Sequence, residues 1–192
     1  MTILLALAAA FLLGSFPTGV VVARSKGIDL RKVGSGNIGA TNVGRALGKG
    51  WAALVLLVDA GKGALPVLVT ERFFADPWLP ALTGLAAVFG QAFSIFLRGR
   101  GGKGVATSLG AGLALAPSAA LCCLGVFLLV YATFRFVSLG SLFALVAYPL
   151  FLWLFGIATP PRLVFALAIA ALVALRHKDN LKRLLRGQEH RA

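Results

Sequence analysis

Apolar runs long enough to cross a bilayer alternate along this chain with short clusters of Lys and Arg, and that alternation leaves few folds open to it. The runs cover about 2–23, 51–73, 78–97, 105–134, 138–157 and 161–175. A membrane-spanning helix needs roughly 20 apolar residues. The clusters are Arg24 to Lys49, Arg98 to Lys103, and Arg176 to Arg191. At 59% apolar and 13% charged residues, a soluble domain of this size could not hide its apolar surface. The reading is an all-α integral membrane protein, a single domain over residues 1–192.

The net charge of +13 would point to nucleic acid in a soluble chain. Here the cations interrupt spans instead of lining one face, so they read as topology signals and contacts to anionic lipid headgroups. No nucleic-acid partner is expected. The long 105–134 stretch decides the topology. As one tilted helix it would put Arg135 and the basic tail outside. A turn at Ala116-Pro117-Ser118 returns both inside and makes sixteen of the nineteen Lys and Arg cytoplasmic, with Lys62, Arg72 and Arg162 the exceptions. The expectation is therefore seven helices, the fourth short, with the N-terminus outside and the C-terminus cytoplasmic. Pro17 is expected to kink the first span. Residues 1–23 carry no leading cations, so they read as an uncleaved span and not a signal peptide. In the short fourth helix, Gly104, Ser108 and Gly112 form a small face suited to close helix approach. Cys122 and Cys123 are neighbours in an apolar run, with no partner for a disulfide or metal, and read as packing residues.

Four polar stretches break the apolar pattern. In Gly34-Ser35-Gly36-Asn37-Ile38-Gly39-Ala40-Thr41-Asn42-Val43-Gly44-Arg45, glycines let the backbone turn its N–H groups toward an anion. Ser35, Asn37, Thr41 and Asn42 add directed hydrogen bonds there, and Arg45 supplies a fork for phosphate. Asp59 and Lys62 share a helical face inside a span, either as a structural ion pair or as a polar interior site. Gly101-Gly102-Lys103-Gly104, running on to Thr107, is a cationic glycine turn opening a helix. It lacks the Gly and Ser/Thr positions of a nucleotide-binding P-loop, so no nucleoside triphosphate is implied. Arg176-His177-Lys178-Asp179-Asn180-Leu181-Lys182-Arg183 places His177 and Asn180 on one face and continues to Glu189. The flanking cations should lower the His177 pKa and keep its ring neutral near pH 7. Nothing has metal-ligand spacing.

These stretches, in this order, resemble the PlsY family of acyl-phosphate-dependent glycerol-3-phosphate acyltransferases of bacterial membranes. Residues 34–42 with Arg45 match the family's first motif, Gly101 to Thr107 the second, and Arg176 to Glu189 the third; Asp59-Ala60-Gly61-Lys62-Gly63 is similar to its Asp/Lys-Gly element. The family's Gly-His-x-Phe reads Gly90-Gln91-Ala92-Phe93 here, so no imidazole stands at that position.

The resemblance implies acyl transfer from acyl phosphate to the C1 hydroxyl of glycerol 3-phosphate, at the cytoplasmic face of the inner membrane. It implies no cofactor and no metal, and names the enzyme that makes acyl phosphate as a candidate partner. Gly34, Gly36, Asn37, Thr41, Asn42, Arg45, Gly101, Gly102, Lys103, Gly104 and Thr107 are then the phosphate-binding candidates. Ser35, His177 and Asn180 are the catalytic candidates, and Asp59, Lys62 and Glu189 line or brace a polar interior. Three groups are candidates for activating the C1 hydroxyl: His177 as general base, Ser35 by hydrogen-bonding the reacting centre or as a covalent nucleophile, and a phosphate oxygen of the substrate taking the proton itself, the last preferred. A transporter or flippase for an anionic metabolite is the alternative, weakened by polar residues that cluster at one face and by the absence of an internal repeat.

Overall fold

The computed structural model describes residues 1–191. It contains ten α-helices and, among the described residues, no strand: α1 (Thr2–Ser15), α2 (Thr18–Arg24), α3 (Ala40–Leu47), α4 (Lys49–Phe73), α5 (Leu79–Ala92), α6 (Val105–Leu115), α7 (Pro117–Phe134), α8 (Val137–Leu154), α9 (Pro160–Arg176) and α10 (Lys178–Leu185). Helix is what lipid permits a chain without a closed barrel, since every backbone polar group must find a partner within the protein.

Five segments are long and apolar enough to cross a membrane: Thr2–Arg24, Lys49–Phe73, Leu79–Leu97, Pro117–Phe134 and Val137–Leu154. The α9–α10 pair, bent by 60°, makes a sixth if taken as one span. The remaining expected span, α6, has 11 residues. At 1.5 Å per residue it reaches about 16 Å, roughly half a hydrocarbon core. The chain breaks between α6 and α7 at Ala116 (φ −156°, ψ 79°), immediately before Pro117. Pro17 likewise separates α1 from α2.

Helix α6 is wrapped by α4, α5, α7 and α9, with its broadest contact on α4. That contact runs through backbone. A Cβ on Gly63 would collide with the Thr107 carbonyl, and one on Gly110 with the Ala60 carbonyl. The close face is therefore Gly63 and Ala60 against Thr107 and Gly110, not the expected row Gly104, Ser108 and Gly112. That row stands one helical step around and faces a cavity. The spacing of small residues was legible, but two such rows lie side by side on α6, and the sequence does not say which meets α4.

A buried polar cluster fastens the break between α1 and α2 to α4 and α5. Lys62 Nζ lies 2.7 Å from Asp59 Oδ1, and the two side chains are each 4% exposed. The ammonium also donates to the Phe16 carbonyl (2.7 Å) and to Gln91 Oε1 (2.7 Å). Thr18 Oγ1 and Gln91 Nε2 donate to the Asp59 carboxylate at 2.8 and 3.3 Å. Every donor of Lys62 therefore has an acceptor, which is the condition for burying a charge. The amide of Gln91 suits this place because it donates to the acid and accepts from the base at once.

Candidate active site

The loop between α2 and α3 is built around one side chain. Asn42, 1% exposed, donates through Nδ2 to the carbonyls of Leu30 (3.1 Å), Val33 (3.0 Å) and Asn37 (2.8 Å). Its Oδ1 accepts from the Ser35 backbone N–H at 3.0 Å. The loop coils around this amide because Gly34 and Gly36 take φ of +57° and +68°, a region costly for residues with a Cβ. The whole Asn42 amide is thus committed to the loop. Asn42 lines the cavity as expected, and its amide shapes the loop that presents Ser35, Asn37 and Thr41.

The second glycine turn is also strapped down. The amides of Gly101 and Gly102 donate to the carbonyls of Ala92 (3.2 Å) and Gln91 (2.8 Å). Their own carbonyls accept from Arg176, at 3.0 Å for Gly101 and 3.1 Å for Gly102. The Arg176 guanidinium also lies over the Phe93 ring, 5.4 Å from its centroid. These glycines were expected to cradle phosphate with their N–H groups, but those donors are taken. What the strapping does is fix the next residues. Gly104, at φ +81°, turns the chain into α6, whose first turn opens onto the cavity beside Lys103.

The third stretch closes the ring. Lys103 Nζ donates to Asn180 Oδ1, and Asn180 Nδ2 donates to Glu189 Oε1 at 2.7 Å. Glu189 also accepts from Arg183 (2.9 Å) and Ser138 (3.2 Å). The tail reaches back because Gly187 turns at φ +66° and the Gln188 amide caps onto the Arg183 carbonyl at 2.8 Å. The His190 carbonyl then accepts from Arg45 at 3.4 Å. Burial lowers the Lys103 pKa to about 8, Arg183 and Arg45 push the same way, and Glu189 and Asp179 partly oppose it.

His177 sits at the junction of α9 and α10, 2% exposed. Its Nδ1 lies 2.8 Å from the Val173 carbonyl. A carbonyl only accepts, so Nδ1 carries the proton and Nε2 is the acceptor in the neutral ring. Burial and then Lys103 lower the pKa to about 4, partly opposed by the Val173 hydrogen bond and Glu189. The neutrality expected from sequence is present, but its cause differs. The flanking Arg176 is turned to the glycine strap and Lys178 is exposed; desolvation does the work.

These elements enclose a cavity of about 530 Å³ with two unlike ends. Ser35, Asn37, Thr41, Asn42, Arg45, Lys103, Gly104, His177, Asn180 and Glu189 line the polar end, and Asp59, Gln91 and Thr107 also reach the wall. Leu109, Leu124, Phe127, Leu145, Tyr148 and Ile169 line the apolar end, between α6, α7, α8 and α9. Cys123 lies there too, as a free thiol. Gly34, Gly36, Gly101, Gly102 and Lys62 are absent from the wall; they support it. Sequence reasoning missed Ser108, Ser138, Tyr148 and His190, all of which line it. Tyr148 had no visible signal, being one aromatic in an apolar run; its hydroxyl donates to the Gly112 carbonyl at 3.1 Å. Among the described residues no three His, Cys, Asp or Glu side chains gather as a metal site.

A helical membrane protein with two cations at one end of a cavity and hydrocarbon at the other has the lining that an amphiphilic anion would match. Comparison with known proteins narrows that class. A family model described as glycerol-3-phosphate acyltransferase matches residues 4–187. The glycerol-3-phosphate acyltransferase of Geobacter sulfurreducens is 47% identical over 186 residues, 96% of this chain and 94% of that one. That of Aquifex aeolicus is 47% identical over 184 residues, 95% of each. The crystal structure of PlsY (YgiH), an integral membrane glycerol 3-phosphate acyltransferase, superposes in its glycerol 3-phosphate form with a TM-score of 0.95 at 45% identity, covering 100% of this chain and 96% of that one. Its lysophosphatidic acid form gives 0.92 at 44% identity, covering 100% and 95%. The chain belongs to the glycerol-3-phosphate acyltransferase family.

Proposed function

We propose that this protein transfers a fatty acyl group from acyl phosphate to the C1 hydroxyl of glycerol 3-phosphate, at the cytoplasmic face of a bacterial inner membrane. The observation that carries the reading is the single cavity joining Arg45 and Lys103 to an apolar end. Acyl phosphate has that same division, a phosphate on a hydrocarbon chain, and glycerol 3-phosphate brings the second anion. The three cation clusters stand on the side that holds the polar end, which supports the cytoplasmic orientation. Family membership favours acyl transfer over transport. An enzyme that makes acyl phosphate at the same membrane is the natural supplier.

Acyl phosphate is a mixed anhydride and already activated, so the protein's part is placement and charge neutralisation. Arg45, Lys103, Asn37, Thr41 and the first turn of α6 hold the phosphates. The glycerol C1 oxygen attacks the acyl carbon, the carbon–oxygen bond to phosphate breaks, and inorganic phosphate leaves with the electron pair. The hydroxyl proton passes to a phosphate oxygen. His177 offers Nε2 as an acceptor that suits the attacking hydroxyl, while its low pKa makes it a weak base. Ser35 and Asn180 orient the reacting groups.

The donor test is direct. Purified protein is supplied with acyl phosphate, acyl-CoA or acylated carrier protein, together with glycerol 3-phosphate, and the acyl ester is measured. Turnover is expected with acyl phosphate and is expected to persist in chelator. Activity with acyl-CoA alone, or a metal requirement restored by adding the metal, would sink the reading. The proton acceptor is read from the pH profile. A substrate phosphate titrates near about pH 6, whereas His177 titrates at about 4. The acid limb of kcat is expected near 6 and unmoved in His177→Gln, with appreciable kcat retained. A limb near 4 that disappears in His177→Gln would make the histidine the base.

A further inference from the structure

Ser108 holds a buried hydroxyl that the fold leaves without a partner, on a residue of the cavity wall. Among the described residues three buried side-chain polar atoms have no hydrogen bond: Ser15 Oγ, Thr107 Oγ1 and Ser108 Oγ. Ser15 does not line the cavity; Thr107 and Ser108 do. A helical hydroxyl has an easy escape in the carbonyl four residues back. Thr70 takes it (2.7 Å to Pro66), as do Thr83 (3.0 Å to Leu79), Thr133 (2.9 Å to Leu129) and Ser141 (2.8 Å to Val137). Ser108, 2% exposed, does not.

Its register gives the hydroxyl a purpose. Gly104, Ser108 and Gly112 stand four apart on one face of α6, and all three line the cavity. The row begins beside Lys103 and ends at Gly112, whose carbonyl holds Tyr148. Thr107 also lines the cavity, but its backbone carbonyl is pressed against Gly63. Ser108 is about 6 Å along the helix axis from Gly104, between the cationic end and the hydrocarbon end. A molecule with its phosphate at Lys103 and its chain beyond Gly112 has its carbonyl between them.

We propose that Ser108 Oγ–H donates a hydrogen bond to the acyl carbonyl oxygen of the donor and to the oxyanion that develops there. As the glycerol oxygen bonds to the carbonyl carbon, the carbonyl π pair moves onto that oxygen. Ser108 donates without losing its proton. The pair returns as phosphate is expelled, and the hydroxyl proton leaves on phosphate. The hydroxyl meets a neutral carbonyl oxygen in the bound donor and a charged one in the transition state, and it is the strengthening of that bond as charge develops that lowers the barrier. The proposal rests on the acyl-phosphate reading above.

The test compares Ser108→Ala and Ser108→Thr with the unaltered enzyme, in turnover and in thermal unfolding in detergent. Losing one oxyanion donor lowers kcat by about 10²–10³-fold. Ser108→Ala is expected to fall in that range, with both KM values within about twofold. Its unfolding midpoint should be unchanged or raised, since an unsatisfied hydroxyl has been removed. Ser108→Thr should keep most of the activity. A second readout does not depend on turnover or on the threonine fitting. In an acyl phosphonate with a methylene in place of the bridging oxygen, the carbonyl infrared stretch should drop on binding the unaltered enzyme and recover in Ser108→Ala. Unaltered kcat in Ser108→Ala, a kcat loss matched by a fall in midpoint, or a stretch that ignores the substitution would each overturn the proposal. Failure of the unaltered enzyme to use acyl phosphate at all would instead remove the donor reading, and this proposal with it.

Discussion

Lys103→Ala is expected to lose on the order of a thousandfold in kcat/KM while the protein stays folded, an effect of about 4 kcal/mol on the transition state. The ammonium is held at the cavity wall by Asn180 and stands beside the first turn of α6, so a phosphate there meets a fixed cation and a helix N-terminus together. Removing it leaves a partly desolvated anion without its counter-charge. The pH profile tests the same point. The Lys103 pKa is lowered to about 8, chiefly by burial, so the free enzyme loses this cation as pH rises through that value. The alkaline limb of kcat/KM should therefore fall near pH 8, and that of kcat higher, because bound phosphate favours the charged amine. Lys103→Arg should abolish the limb even where its activity is low. Stability runs the other way: the unfolded chain binds more protons between pH 8 and 10.5, so the folded state gains stability as pH climbs through that window. Arg45→Ala should also lose activity strongly, with Arg45→Lys a partial recovery, since an ammonium cannot reproduce the guanidinium fork. Near-normal kinetics in the alanine variants would leave both residues as topology signals.

The helical membrane fold was legible because lipid imposes a simple rule on length and polarity. The 105–134 stretch shows how far the rule reaches: charge balance demanded a break, Pro117 supplied it, and α6 ends at Leu115. The residues that gather at the cavity stood out in the sequence as well, since Gly, Asn, Ser, Lys and His are poor bilayer residues and their presence needs a reason. What sequence could not separate was residues that face a ligand from residues that hold those that do. Gly101 and Gly102 have the composition of a phosphate cradle, yet their donors are committed to α5. The direction of a backbone N–H is a tertiary fact. Ser108 was read the other way, as a packing residue. It sits in an apolar helix next to small residues and was grouped with them by size; only the missing hydrogen bond marks it as different. Lys62 and Gln91 belong together for a reason visible only in space, since 29 residues separate the ammonium from the amide oxygen it meets.

The second large effect is expected at a residue whose amide is committed to the loop around it. Asn42 holds four backbone groups of the loop: the two hydrogens of Nδ2 are shared among the carbonyls of Leu30, Val33 and Asn37, and Oδ1 accepts from Ser35. At about 1 kcal/mol for each full hydrogen bond, the two N–H donors and the one acceptor make Asn42→Ala forfeit roughly 3 kcal/mol of local order, and it leaves buried carbonyls unsatisfied besides. The loop that carries the left-handed Gly34 and Gly36 is wound on that amide, and Ser35, Asn37 and Thr41 stand in it or next to it. Asn42→Ala should therefore lower kcat and raise both KM values together, with faster amide hydrogen exchange over residues 30–41 and little change in the spans. A lost ligand would behave differently, raising one KM and leaving exchange alone. Asn42→Asp separates the two directions of bonding: it keeps the acceptor for Ser35 and loses both N–H donors, and it places a carboxylate against three carbonyl oxygens. It should be at least as damaging as alanine. If Asn42→Asp retained activity and exchange protection while Asn42→Ala lost both, the single bond to Ser35 would be carrying the loop. Normal exchange with a selective rise in the KM of one substrate would instead make Asn42 a phosphate ligand.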